Sequence, residues 1–150
     1  MKSVFETSDV QELIERINKL TPSTSALWGK MNVAQMLAHC NVPYEFVYTN
    51  KHPKPNFLMK LIMRLIVKKI VTGFKPYKKN VKTAPAFIIA DKKEFETEKE
   101  LLINNIKKTL LLGKNHFEGL ESINFGVMTS QEWSNMFYNH LQHHLSQFGA

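Results

Sequence analysis

Hydrophobic positions along the chain recur at intervals of three and four residues, the pattern of helices that bury one face. The spacing predicts five helices, over residues 9–20, 33–48, 57–71, 92–112 and 130–148. No repeat, low-complexity tract or second domain interrupts this pattern. The sequence therefore predicts an all-α fold, a helical bundle in one domain spanning residues 1–150.

Four of the predicted helices begin with a capping signal, in which a short polar residue is followed three positions later by Glu or Gln. Such pairs satisfy two of the backbone N–H groups that every helix start leaves without a partner. The four pairs are Ser8 with Gln11, Asn32 with Gln35, Asp91 with Glu94, and Thr129 with Glu132.

Proline and glycine mark where the helices bend or end. Pro43 falls inside the second helix and removes the helical partner of the His39 carbonyl, which predicts a bend there. Gly113 marks the end of the fourth helix. Loops are expected over residues 73–85 and 114–128, with a short extended piece at 87–89.

The positive charge is concentrated in one segment. The net charge is +7, and ten of the twenty Lys and Arg residues lie between Lys51 and Lys82, where no Asp or Glu occurs. The helix over 57–71 carries a basic stripe at four-residue spacing and is otherwise largely apolar, but it is too short to cross a bilayer. It could be a solvated face or lie on an anionic surface. Its wide apolar arc favours packing on the bundle and on a second subunit. The stripe consists of Lys60, Arg64 and Lys68.

Cysteine chemistry is not indicated. Cys40 is the single cysteine, so an internal disulfide is excluded, which agrees with a reducing compartment. The thiol is predicted to face the core, where burial raises its pKa and blunts its reactivity. Neither a Gly-x-Ser-x-Gly elbow nor a phosphate-binding glycine loop occurs. Because no apolar leader follows Met1, a cytoplasmic location is expected.

Histidines carry the candidate chemistry. His140 and His144 are four residues apart on the last predicted helix and share its apolar face with Trp133 and Phe137. Their polar nitrogens need partners there, which a shared divalent ion would supply. His39 on the second helix could complete a three-imidazole site. The alternative is that these histidines satisfy themselves with carbonyls or hydroxyls.

Two further residues bear on this candidate site. His143 lies off the buried arc and could be a supporting residue, a substitute ligand or an exposed side chain. Leu141 stands where a zinc peptidase of the His-Glu-x-x-His type needs its general base, which argues against that activity. Trp28, Trp133, Phe137 and Tyr44 are candidates to line a pocket, although core packing explains each of them equally well.

Three stretches of the chain resemble the DinB/YfiT-like superfamily of metalloenzymes, in a branch catalogued only as a domain of unknown function. They are WGKMNVAQMLAHC at 28–40, NFG-x-x-T-x-x-EW at 124–133, and H-x-x-HH-x-x-QFG at 140–149. The stretch from Lys75 to Pro85 is also similar, so the likeness covers nearly the whole chain. One departure is Ser122-Ile123, where the branch often has His-Pro.

The resemblance implies a four-helix bundle of DinB/YfiT-like type with additional short elements, commonly dimeric, with one divalent metal. The ligands carried over by position are His39, His140 and His144. Characterised members of that superfamily include S-transferases and isomerases that use low-molecular-weight thiols.

The leading hypothesis is a metal-dependent enzyme, an S-transferase or a hydrolase. Zn²⁺ or Ni²⁺ held by the three histidines would activate a small thiol or water for transfer or hydrolysis. The expected partners are a small-molecule substrate and a second copy of the chain, and neither nucleic acid nor a membrane. The alternative is a non-catalytic binding or membrane-surface module that uses the basic segment 57–82.

Overall fold

A computed structural model of the chain describes residues 2–81 and 83–150, so Lys82, the last cation of the basic segment, lies outside the described residues. The chain is mostly helical, as predicted, with one two-stranded sheet. Helices α1 to α6 span Thr7–Asn18, Val33–Tyr48, Phe57–Ile62, Lys68–Val71, Phe95–Phe117 and Ser130–Gln147. A π-helical turn, Met63–Val67, joins α3 to α4, and a 3-10 turn spans Pro85–Phe87. Strands β1 and β2 are Glu121–Ser122 and Gly126–Val127.

The core is one hydrophobic cluster formed mainly by the long helices α1, α2, α5 and α6. The α2 and α5 helices share the largest interface in it. An aromatic column runs through the centre, where Tyr44 stacks on Phe137 with ring centroids 4.5 Å apart, and Phe137 stacks on Trp133 at 5.7 Å. The column joins α2 to α6, the two helices that carry the candidate histidines.

Two of the four capping predictions are confirmed, and both belong to the helices that carry the histidines. The Asn32 side chain accepts a hydrogen bond from the Gln35 N–H at 2.8 Å, and the Gln35 side chain accepts one from the Asn32 N–H at 3.1 Å. Thr129 and Glu132 form the same reciprocal pair at the start of α6. The starts of α2 and α6 are therefore fixed by local sequence.

The other two capping predictions are wrong. Helix α1 begins at Thr7 with Glu6 as its N-cap residue, so Ser8 lies inside the helix, and the Asp9 carboxylate accepts a hydrogen bond from the Ser3 N–H upstream of it. Helix α5 begins at Phe95 with Glu94 as its N-cap residue. Asp91 instead forms an ion pair with Lys93 at 2.9 Å, so its carboxylate does not cap the helix.

Helix α5 is interrupted at Gly113, as predicted, but the chain resumes a helical turn that ends at Phe117. Gly113 has φ 73° and ψ 171°, in the left-handed region that glycine tolerates best. The turn resumes because Phe117 is fully buried and packs against Trp133 and Phe5.

The loops differ from prediction in two places. Only part of the predicted extended piece at 87–89 is confirmed, because Phe87 closes a 3-10 turn over Pro85–Phe87 while Ile88 is extended, with φ −84° and ψ 106°. The predicted loop over 114–128 contains the β1–β2 hairpin, in which Glu121 pairs with Val127 and Ser122 with Gly126. Arg64 packs against Gly126, which has a positive φ of 69°.

The α3–α4 segment has the predicted extent, 57–71, but it packs on the bundle through few of its residues, and its packing on a second subunit stays a prediction. None of these fifteen residues, all of which the structure describes, is fully buried. Only Met63, Val67 and Val71 pack against the core. Within residues 2–81 and 83–150, no helix combines the length and the apolar character needed to cross a membrane.

Candidate metal centre

The structure brings His39, His140 and His144 together between α2 and α6. His140 and His144 lie one turn apart on α6, and His39 faces them from α2. The His39 ring centroid lies 4.9 Å from that of His140 and 4.4 Å from that of His144. All three side chains are buried, at 5%, 8% and 7% exposure. Residues about a hundred positions apart thus meet in one cluster.

The nitrogens of this cluster have the separations that a metal ion needs. One ligand atom from each histidine lies within 4.8 Å of the others, and Nε2 of His39 lies 3.0 Å from Nε2 of His140. Two nitrogens that each lie about 2.0–2.1 Å from a tetrahedral zinc are about 3.4 Å apart. That separation lies between the 3.0 Å from His39 to His140 and the 4.8 Å limit of the whole cluster. The three buried histidines are therefore close enough to hold a metal ion.

The proton of His39 is fixed by a backbone carbonyl. Nδ1 of His39 lies 2.8 Å from the carbonyl oxygen of Phe87, which can only accept a hydrogen bond. Nδ1 therefore carries the proton, and the lone pair is on Nε2, the atom that faces His140. This is the outer contact that orients most metal-binding histidines in proteins.

The proton of His144 is fixed in the same way by Gln147. Nδ1 of His144 lies 2.8 Å from Oε1 of Gln147, and Nε2 of Gln147 donates to the Trp28 carbonyl at 2.7 Å. The second bond fixes which end of the amide faces the histidine. A Cβ at Gly29 would lie 2.5 Å from the Gln147 amide nitrogen, so glycine allows this close approach.

The electrostatics keep these imidazoles neutral. Burial, reinforced by the neighbouring His144 and His39, lowers the pKa of His140 well below its ordinary value. Burial also lowers the pKa of His39, against the opposing effect of the Phe87 carbonyl. Burial and the neighbouring His39 lower the pKa of His144 to about 3. Neutral imidazole is the form that binds a metal, so protons compete little for this cluster at neutral pH.

Aromatic rings surround the cluster. The Phe87 ring lies 5.3 Å from the His39 ring and 5.9 Å from the His140 ring. The Tyr77 ring lies 6.5 Å from His140 and 5.8 Å from His143, and its hydroxyl donates to the Val71 carbonyl. The segment that follows α4 therefore covers one side of the histidines.

His143 occupies a half-buried position beside the cluster. Its ring lies 4.9 Å from that of His144, 5.8 Å from Tyr77 and 6.0 Å from Trp28. The Lys79 side chain extends over the Trp28 ring, and its Nζ lies 4.0 Å from the ring centroid. Trp28, His143 and Lys79 thus form a mixed aromatic and cationic edge next to the three buried histidines.

The remaining predicted pocket residues belong to the core. Tyr44, Phe137 and Trp133 are each at most 2% exposed and stack on one another, so core packing accounts for them. Cys40 is buried as predicted, its thiol donates to the Met36 sulfur at 3.6 Å, and burial raises its pKa. These residues support α2 and α6 from behind.

Three supporting residues were missing from the sequence-based site. The position of Gln147 could have indicated its role, because it lies three residues after His144 and therefore on the same side of the helix. Tyr77 and Phe87 lie in irregular chain without hydrophobic periodicity, and Phe87 acts through its carbonyl, which every residue type possesses. Nothing in the sequence singles them out.

Comparison with known proteins places the chain in a family. Residues 2–150 match a family model described as "Protein of unknown function (DUF1569)". No curated protein and no solved structure matches the chain.

Proposed function

We propose that the chain, which belongs to the DUF1569 family, is a metal-dependent enzyme whose divalent ion is held by His39, His140 and His144. The observation that carries the proposal is the convergence of three buried, neutral imidazoles within 4.8 Å, two of them with Nδ1 already bonded outward. Zinc and nickel are the first candidates, because imidazole nitrogen suits both ions.

The protein supplies three of the ligands and fixes their orientation. The Phe87 carbonyl and the Gln147 amide hold two ring protons on the outer side, so the Nε2 lone pairs face inward. When bound, an ion with three neutral ligands keeps its full double charge and lowers the pKa of a coordinating thiol or water towards neutrality. That lowered pKa makes the thiol or water nucleophilic.

The surroundings of the cluster favour a small thiol over water as the activated group. Tyr77 and Phe87 present ring surfaces next to the histidines, and sulfur makes favourable contacts with ring edges. At the adjacent edge, Lys79 and Trp28 offer a cation and a flat ring that suit a small anionic substrate. The proposed reaction class is therefore transfer of a small thiol, with hydrolysis as the second candidate.

The finer structural expectations are also proposals. We propose that α1, α2, α5 and α6 form a four-helix bundle of the DinB/YfiT-like type, with the short helices as additions. The homodimer and the cytoplasmic location that the sequence analysis expected stay predictions.

Elemental analysis of protein purified without a metal-affinity tag tests the proposal. The expected result is close to one equivalent of zinc or nickel, or uptake of one equivalent on titration. The matched control variants are His143→Ala and His116→Ala, which remove a half-buried and an exposed histidine outside the cluster. Both should bind the ion as the unmodified chain does. Less than about a tenth of an equivalent, with no uptake on titration, contradicts the proposal.

Cobalt substitution distinguishes the two activated groups. The cobalt-loaded protein should give a sulfur-to-metal charge-transfer band when a small thiol such as cysteamine is added, and His144→Ala should neither load nor give the band. Loading without a thiol-dependent band contradicts thiol transfer and leaves hydrolysis as the activity to assay.

A further inference from the structure

The α3–α4 segment exposes an apolar surface, which we call the outer face. Its large side chains are between 40% and 86% exposed. They are Phe57, Leu58, Met59, Leu61, Ile62, Leu65, Ile66 and Ile70. Scattered exposed hydrophobic residues are ordinary, but eight on one four-turn segment are a concentration of the kind that marks an interaction surface.

Two cations of this segment, Lys60 and Lys68, reach towards the body of the protein, whereas Lys69 is exposed. Lys68 forms an ion pair with Glu132 at 3.0 Å and donates to the Val127 carbonyl at 3.0 Å. Lys60 approaches Glu121 at 3.9 Å. The segment thus packs inward through Met63, Val67 and Val71 and its paired lysines, and leaves most of its large apolar side chains outside, unlike an ordinary surface helix.

The π-helical turn explains how this orientation is kept along the segment. Met63, Val67 and Val71, which contact the core, follow one another at four-residue spacing. A π turn closes with i→i+5 hydrogen bonds and so rotates the chain less per residue than an α-helix does. Four residues of a π turn therefore come closer to one full turn than four residues of an α-helix do. Met63, Val67 and Val71 then stay aligned against the core, and the apolar residues of the outer face stay outside.

The segment is also fixed to the helix that carries the histidines. The Asn135 side chain donates to the Thr72 carbonyl at 2.8 Å, and the Asn139 side chain donates to the Gly73 carbonyl at 2.9 Å. Both carbonyls follow the last residue of α4. The outer face is therefore a surface anchored to the body of the protein rather than a loose appendage.

Unpaired charge around the outer face is of one sign. Lys54 precedes the segment, Lys69 lies within it, and Lys75 and Lys78 follow it closely, all exposed. Among residues 2–81 and 83–150, none of these four lysines has an acidic partner within ion-pair distance, and no Asp or Glu occurs from residue 51 to 81. Unpaired charge along the outer face is thus cationic, since the nearby carboxylates Glu121 and Glu132 lie against Lys60 and Lys68.

We propose that the outer face docks on an anionic lipid bilayer, with the α3–α4 segment lying in the plane of the interface. Apolar side chains enter the boundary between head groups and acyl chains, and the flanking lysines bind the acidic head groups. A second copy fits less well. A twofold contact through this face would bring the exposed, unpaired lysines of two copies together, and the nearby Glu121 and Glu132 already lie against Lys60 and Lys68. The proposal does not depend on the metal centre.

Vesicle flotation with the full chain tests the proposal. The probes are phosphatidylcholine vesicles with and without about 30% phosphatidylserine, at low salt and at about 0.5 M salt. The expected result is binding to the phosphatidylserine vesicles at low salt, at least tenfold stronger than to pure phosphatidylcholine. Absence of binding to the anionic vesicles at low salt overturns the proposal.

Matched variants locate the contact. Leu58→Asp with Leu65→Asp should weaken binding by more than tenfold, whereas Leu101→Asp with Leu111→Asp, exposed leucines of α5, should bind nearly as the unmodified chain does. Circular dichroism verifies that both variants fold. Equal effects of the two pairs overturn the proposal.

Charge reversal and solution mass complete the test. Lys69→Glu with Lys75→Glu should also weaken binding to anionic vesicles by more than tenfold, and unchanged binding overturns the electrostatic part. The proposal is also overturned if the chain does not bind vesicles and forms a dimer that Leu58→Asp with Leu65→Asp dissociates. That result would assign the outer face to a second copy of the chain.

Discussion

The histidine cluster and the outer face depart from ordinary burial in opposite directions. The cluster places three polar rings in an apolar interior, whereas the outer face places eight large apolar side chains in contact with solvent. Buried polar groups need partners, and large exposed apolar surfaces indicate contacts. The comparison teaches that each region has an unmet physical requirement, which the two proposals assign to an ion in one case and to a lipid surface in the other.

Metal addition should produce the largest difference between the two regions. An ion at about a thousand times its Kd should raise the free energy of unfolding by about 4 kcal/mol, because only the folded chain assembles the three ligands. Denaturant unfolding with and without zinc measures this. His140→Ala should lose the effect, and Leu58→Asp with Leu65→Asp should keep it. An equal gain in His140→Ala would contradict the site.

Acidification should destabilise the metal-free chain through the cluster. The pKa of His144 is about 3 in the folded chain and about 6.5 when unfolded, so below pH 6.5 the unfolded chain binds more protons. The stability that His144 contributes is complete above that pH and is lost as the pH falls. Its loss between pH 7.5 and 5 should be about 2 kcal/mol. Thermal unfolding across this range measures it, and His144→Gln should flatten the dependence. A dependence unchanged by that substitution would argue against a buried neutral His144.

Removal of the outer support of His144 should have a smaller effect. Gln147→Ala deletes the acceptor for the ring proton, so metal affinity should fall about tenfold, or about 1.4 kcal/mol, by the usual effect of such contacts. Competition with a chromogenic chelator measures the Kd. Gln142→Ala, on the exposed side of the same helix, is the matched control and should leave the Kd unchanged.

Substitution on the outer face should have the smallest effect on folding. Leu58→Asp with Leu65→Asp should change the free energy of unfolding by no more than about 0.5 kcal/mol per site, because neither side chain packs in the core. The buried Leu141→Ala is the contrast, at about 2–5 kcal/mol. Chemical denaturation compares the two. A large loss in the outer-face variant would show that this surface is already covered in solution.

The sequence predicts most of the histidine side of the molecule because its determinants are local. Helical periodicity is enough to put His140 and His144 on the buried face of α6, and two reciprocal caps start α2 and α6 where the structure has them. The contact of His39 with that pair is non-local. Periodicity alone makes His39 a candidate third ligand without selecting it, and the same ligand set is what the resemblance of residues 28–40 and 140–149 implies.

The opposite orientation of α3–α4 could not be predicted from the segment itself. Its amphipathic pattern has a basic stripe and an apolar arc, and the pattern does not specify which one meets the body. Glu132 and Glu121, which receive Lys68 and Lys60, lie more than fifty residues away on α6 and on the hairpin. These distant carboxylates, together with the Asn135 and Asn139 side chains that hold the end of α4, contact the segment from elements far away in the sequence.

The bond between His39 and the Phe87 carbonyl has a consequence for genetics. A backbone oxygen is present whatever residue occupies position 87. Single-residue substitution scanning will therefore measure the effect of replacing the Phe87 ring and not the effect of losing that oxygen. A chain shortened or lengthened by one residue between positions 85 and 89 would displace the oxygen while leaving every ligand intact. Insertion and deletion libraries, rather than point substitutions, will reveal how much the ring orientation of His39 matters.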